Sequence, residues 1–195
     1  MSDFVSGLPV RPMLEFCPPG PVRDVLLLKK ALEGLRSTAG GRRGYAAIGL
    51  VNPKHECNVG GVLRAAGCYG AAMVAYTGRR YKNMASDTQK SWKHIPLLHC
   101  DDLRDMIPHG CVPVAVELVD GARPLFSYIH PERAFYIFGP EDSSVGRSTL
   151  SWCRDVVYVP TRFCMNLAAT VNVVLYDRAS KRGETNSDGA NASGH

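Results

Sequence analysis

The chain has 195 residues, 45% of them hydrophobic and 21% charged, with a net charge of +5. This length fits one well-buried domain with short extensions and excludes two ordinary domains; no apolar run is long enough for a membrane helix. The modest positive excess favours polyanionic partners over acidic or membrane-spanning roles.

Residues 1–20 are proline-rich and aperiodic, which predicts a surface arm. Asp3, Gly7, Pro9 and Pro12 also break the basic-then-apolar pattern of a signal peptide, so the expected location is the cytoplasm. From Pro21 to about Ser37, Val25, Leu28, Leu32 and Leu35 recur at helical spacing, and Gly40 and Gly41 supply a stop. Residues 1–44 are thus expected to form an arm and an amphipathic helix.

From Tyr45 the pattern alternates short apolar runs with helical segments. Strands are expected at Tyr45–Val51, Ala72–Tyr76, Val112–Leu118, Phe135–Phe138 and Val156–Val159. Helices are expected at Gly60–Ala66, around Leu103, at Ser148–Trp152 and from Asn166 to about Lys181. Near-continuous apolar strands separated by helices predict an α/β domain over residues 45–182, with a mostly parallel sheet flanked by helices. Residues 183–195 carry no large apolar side chain and read as a disordered tail.

Cys17, Cys57, Cys68, Cys100, Cys111, Cys153 and Cys164 form neither a CxxC pair nor a close Cys/His set, so no metal site is expected. Arg42 and Arg43 precede the first core strand. Arg79, Arg80, Lys82, Lys90, Lys93 and His94 gather in one polar insertion with Tyr81 and Trp92. Cations interleaved with flat rings suit phosphates and unpaired bases, making these arginines and lysines the candidate RNA-binding residues. A solvated loop has the same composition.

Three motifs stand at loop positions. Asn58-Val59-Gly60-Gly61-Val62-Leu63-Arg64 falls at a strand-to-helix turn, where ligands of α/β proteins commonly sit. A helix beginning near Val59 would place Arg64 just over one turn in. Phe138-Gly139-Pro140-Glu141 follows an apolar strand and continues to Gly146, giving a tight loop with one acid that could grip a ribose or cap the next helix. Met165-Asn166-Leu167 opens an apolar helix, where Asn166 could cap or bind a ligand. Asn172, inside that helix, needs a partner within the core or across a subunit contact.

In this order and spacing, N-x-G-x-x-x-R, F-G-P-E and M-N-L resemble the SpoU (TrmH) branch of the SPOUT RNA methyltransferases, from about Tyr45 to Arg178. The last two motifs are most similar to the small single-domain members that methylate the ribose of tRNA wobble nucleotides. The resemblance implies an α/β knot, with the C-terminal segment drawn into a deep trefoil, and a homodimer. It implies S-adenosylmethionine held by Val116, Glu117, Gly139, Val159, Cys164, Met165 and Leu167, mainly through backbone groups. The reaction implied is 2′-O-ribose methylation of RNA, most similar to that of the tRNA members. Ribosomal RNA and a non-catalytic knotted RNA-binding protein are the alternatives.

The catalytic set carried over by the resemblance is Asn58, Arg64, Glu141 and Asn166, with Arg64 activating the hydroxyl. A guanidinium stays protonated, so the chemistry favours a weaker role: Arg64 orients the hydroxyl or an adjacent phosphate and stabilises developing alkoxide charge. Cys164 departs from the serine common in the family, and a thiol is the poorer hydrogen-bonding group; a backbone contact would survive the change. The Pro160–Cys164 segment is also short beside the wobble enzymes.

Overall fold

The computed structural model describes residues 44–81 and 95–183. The expected helix before residue 40, Arg42 and Arg43, and most of the tail lie outside these residues. So do Lys82, Lys90, Trp92, Lys93 and His94 of the basic insertion.

The described chain runs β1 (Ala46–Leu50), α1 (Glu56–Cys68), β2 (Val74–Tyr76), β3 (Leu97–His99) and a 3-10 turn at Leu103–Met106. It continues through β4 (Val112–Val116), β5 (Arg123–Pro124), a 3-10 turn at Leu125–Ser127, β6 (Ala134–Phe138), α2 (Arg147–Leu150), β7 (Asp155–Tyr158) and α3 (Leu167–Lys181). All seven strands join one sheet in the order β3-β2-β1-β6-β4-β7-β5, and every pairing is parallel. The α/β expectation therefore holds. Two short edge strands, β3 and β5, join the five that the apolar runs predict.

β1 and β6 are buried along their whole length, as expected of parallel strands covered on both faces. Alternation divides their side chains. Ile48, Leu50, Tyr136 and Phe138 meet Val59, Val62 and Leu63 of α1 and Val171, Val174 and Leu175 of α3 on one face. Ala47, Phe135 and Ile137 meet Leu103, Val145 and, beyond them, Leu150 and Trp152 on the other.

Helix α1 begins at Glu56, not at Gly60, so the glycine pair lies within the helix. Close packing explains it: a Cβ on Gly61 would stand 2.6 Å from Cβ of Ala168 on α3. The same correction places Arg64 more than two turns into α1, not just over one. In α3, Asn172 satisfies its amide within its own helix, donating from Nδ2 to the Ala168 carbonyl at 2.9 Å.

The C-terminal half of α3 is fixed by a buried polar cluster. Arg178 donates to the carbonyls of Pro131 and Glu132 at 2.6 and 2.7 Å and to the Tyr136 hydroxyl at 3.3 Å. His130 lies between Tyr136 Oη at 2.6 Å and Asp177 Oδ2 at 2.8 Å. Lys181 donates to Leu125 and Tyr128 carbonyls at 2.6 and 3.1 Å, so α3 is tied to the chain leading into β6.

Candidate active site

Residues that follow the carboxyl ends of the parallel strands converge, as ligand sites of open α/β sheets commonly do. The turn after β1 reaches Lys54 and His55, and the loop after β6 carries Glu141. His55 provides no side-chain cap for α1. Glu141 instead braces the chain leading into the helix from the far loop: its carboxylate accepts from the backbone N–H of Lys54 at 2.9 Å and of His55 at 3.2 Å, and from Asn58 Nδ2 at 2.8 Å. An anion at this end of α1 also meets the positive end of the helix dipole. Burial pushes the Glu141 carboxyl up, but donation from Asn58, from its own loop backbone and from Lys54 and His55 outweighs it and holds the group below 4.5. Glu141 thus anchors the entry to α1 and does not cap the helix that follows it.

Next to it, Asp142 binds two cations. Arg80 Nη1 and Nη2 donate to its two carboxylate oxygens at 3.0 and 2.7 Å, and Lys54 Nζ lies 3.4 Å from Oδ2. The Arg80 hydrogen bond foremost, with Lys54 adding to it, pulls the Asp142 carboxyl down to about 2. The turn carrying Arg80 is set by Gly78, whose φ of +81° brings it against Asn52; a Cβ there would fall 2.2 Å from Asn52 Oδ1.

A second feature opens at the ends of β4 and β7. A cleft of about 910 Å³ is lined by Val116, Glu117 and Leu118, by Tyr158 through Met165, and by Thr170 of α3. Glu117 braces it. Its carboxylate accepts from Leu118 N at 3.1 Å and from Val145 N at 2.8 Å, tying the cleft wall to the loop after β6. At the far side Thr161 Oγ1 donates to the Phe163 carbonyl at 2.8 Å, closing the turn before Cys164.

Five of the residues expected at a cofactor, Val116, Glu117, Val159, Cys164 and Met165, line this one cleft. Gly139 and Leu167 stand outside its lining. Gly139 packs on its own loop, where a Cβ would be 2.9 Å from Val145 N, and Leu167 is buried in the core. Asn166 caps α3, accepting from Ala169 N at 2.7 Å. Arg64 is exposed on α1 and makes no hydrogen bond or ion pair among the described residues. The structure therefore joins Asn58 to Glu141 directly, while no hydrogen bond or ion pair among the described residues joins Arg64 or Asn166 to that pair. Arg79 is exposed, and Arg80 is engaged by Asp142.

Lys54 and Asp142 were not among the sequence candidates. Their pairing spans 88 residues of chain; Asp142 lies inside the second motif but carries no signal of its own, and Lys54 lies outside all three. Among the described residues no group of His, Cys, Asp and Glu could hold a metal ion, and no helix is long and apolar enough to cross a membrane.

No curated protein matches the chain significantly. Solved structures do. The SpoU methyltransferase AviRb from Streptomyces viridochromogenes, in complex with AdoMet, superposes with a TM-score of 0.64 at 16% identity, over 73% of this chain and 59% of that one. The A. aeolicus TrmH/SpoU tRNA modifying enzyme gives 0.64 at 19% identity, over 80% and 86%. A structure concerned with the 2-OH methylation of C/U34 on tRNA gives 0.64 at 21% identity, over 74% and 99%. The chain spans only about three-fifths of AviRb, and at these identities the likenesses show a shared fold. The sequence model described as the SpoU rRNA Methylase family matches residues 45–176, more than half of the chain, and with the fold in agreement the chain belongs to that family.

Proposed function

We propose that this chain is an S-adenosylmethionine-dependent RNA 2′-O-ribose methyltransferase acting on tRNA. The observation that carries the reading is the junction of Asn58 with Glu141 at the start of α1, in the same sheet end as the β4–β7 cleft. The cleft fits the cofactor: its volume suits a ligand of that size, and its walls are backbone turns and apolar side chains with few charges. Val116, Glu117, Val159, Cys164 and Met165 would hold it. Its role is to supply an electrophilic methyl group on a sulfonium.

The chain's own residues then position the acceptor. A ribose hydroxyl is a poor nucleophile, so alignment and stabilisation of developing negative charge carry much of the rate. Arg64, exposed and free of protein acceptors among the described residues, suits that task as a permanent cation. Asn58 and Glu141 fix the helix that carries it. Asn166 fixes the start of α3, which packs on α1 at Gly61.

The proposal includes the knot. β7 lies between β4 and β5 although residues 117–122 join those two strands directly, and this ordering supports passage of the C-terminal segment through a loop. It includes a homodimer, supported by exposed Leu118, Phe126, Ile129, Phe163 and Tyr176. It also takes residues 45–182 as the enzyme domain, with extensions on either side.

Coverage favours tRNA: the chain accounts for 86% and 99% of the two tRNA-related structures. The family's description favours ribosomal RNA instead. Incubation with labelled S-adenosylmethionine and separate pools of tRNA and rRNA distinguishes them. Label in tRNA is expected; label confined to rRNA overturns the substrate, and label in neither overturns the activity.

A further inference from the structure

Lys54 faces two ways. Its backbone N–H donates to Glu141 at 2.9 Å, and its ammonium lies 3.4 Å from Asp142. Asp142 in turn takes one N–H from each terminal nitrogen of Arg80. Segments from three separate loops, after β1, β2 and β6, thus close on a single carboxylate directly beside the Asn58–Glu141 junction.

Exposed ion pairs of this kind contribute little to stability. The side chains of Arg80, Asp142 and Lys54 retain 31%, 46% and 48% of their exposure, so the trio faces solvent instead of holding the core. What the pairing does fix is direction. An unpaired Arg and Lys would sample many rotamers, whereas Asp142 holds both heads together and leaves their remaining N–H groups for another anion. The trio keeps one net positive charge; the exposed Arg79 adds a second, and the neighbouring Glu141 carboxylate offsets one of the two.

We propose that Asp142 is a positioning residue that holds Lys54 and Arg80 as a two-cation grip for one phosphate of the substrate RNA, adjoining the Asn58–Glu141 junction. The inference rests on the RNA methyltransferase reading. Lys54 is thereby added to the RNA-contacting residues, and Asp142 acts through the two cations without touching RNA. The grip sets where the backbone lies, and so where the neighbouring ribose lies, relative to the cleft.

The test measures tRNA binding to the full chain across a salt series, with turnover and S-adenosylmethionine binding measured in parallel. Removing both cations in the Lys54→Ala, Arg80→Ala double variant should reduce the magnitude of the slope of log affinity against log salt by about 1, the signature of one lost phosphate contact, and each single variant by part of that. Unchanged slopes overturn the grip whether or not the protein methylates RNA. Asp142→Asn removes a negative charge, so general attraction alone predicts tighter binding and undiminished turnover. Positioning predicts kcat at saturating tRNA lowered about 10-fold, tRNA affinity kept or strengthened, cofactor binding unchanged and recovery in Asp142→Glu. Wild-type kcat in Asp142→Asn, or loss of cofactor binding with it, overturns the positioning role. Absence of wild-type methylation of any RNA overturns the functional reading instead.

Discussion

Asn58 and Glu141, 83 residues apart in the chain, meet at 2.8 Å, and the same carboxylate also receives the backbone N–H groups of Lys54 and His55, just before α1. One side chain therefore does two things: it pins the turn that leads into the helix and fixes the amide of the first motif. Glu141→Ala should strip all three donors of their acceptor and destabilise the fold by about 1–3 kcal/mol, with methyl transfer lost. The group's folded pKa is lowered, so its contribution is complete above the ordinary value of 4.5 and disappears as pH falls through the lower folded value. Denaturant unfolding of wild type and variant at pH 7 and in acid measures both: the difference in stability should shrink on acidification.

Arg64 offers the opposite case. It is exposed, with no hydrogen bond or ion pair among the described residues, so Arg64→Ala should leave the melting temperature and S-adenosylmethionine affinity close to wild type. Turnover should fall by about 100-fold or more, the scale of losing one charge-stabilising donor. Calorimetric cofactor binding beside a turnover assay checks this; loss of cofactor binding would move Arg64 to the other side of the reaction.

The contact between Gly61 and Ala168 sets how closely α1 and α3 approach. Gly61→Ala should gain some helix propensity but lose more to overpacking, a net cost of about 1–3 kcal/mol. Ala168→Gly in the same chain should recover most of the loss. Denaturant midpoints of the single and paired variants give the coupling, and simple additivity would show that the helices do not meet there.

His130 predicts a second pH dependence. Burial lowers its pKa below the ordinary 6.5, outweighing the opposing hydrogen bond and charge of Asp177, and Lys181 and Arg178 push in the same direction as burial. The network suits a neutral ring, with Nε2–H donated to Asp177 and Nδ1 accepting from Tyr136. The unfolded chain then binds the extra proton, so stability is complete above about pH 7 and falls as pH drops through 6.5 toward the lower folded value. His130→Gln should flatten that part of the stability profile. An unchanged slope between pH 7 and 5 would contradict the assignment of a neutral ring.

Much of the fold is legible in the apolar runs, because strands buried on both faces must be almost wholly apolar: β1, β2 and β4 fall within their predicted spans, and β6 and β7 begin one residue before theirs. β3 and β5 escape such reading. They are short edge strands, Leu97–His99 and Arg123–Pro124, whose membership depends on the neighbour they pair with. The start of α1 is also hidden, since Gly60 and Gly61 read as a loop until Ala168 is seen against the helix. Within the site, Asn166 is legible as a cap because capping is local. The partnership of Lys54, Arg80 and Asp142 is not, because charge pairing across 62 and 88 residues leaves no periodic trace in the chain. The half-buried His130–Asp177 pair, 47 residues apart, leaves none for the same reason.

The most direct test of the central claim is to incubate the wild-type protein with S-adenosylmethionine and tRNA, digest the RNA to nucleosides and locate the added methyl group by mass spectrometry. A nucleoside carrying the methyl on its ribose, absent when Arg64→Ala replaces the wild type, is the predicted result. A methyl group on a base, or ribose methylation that persists undiminished in Arg64→Ala, would contradict it.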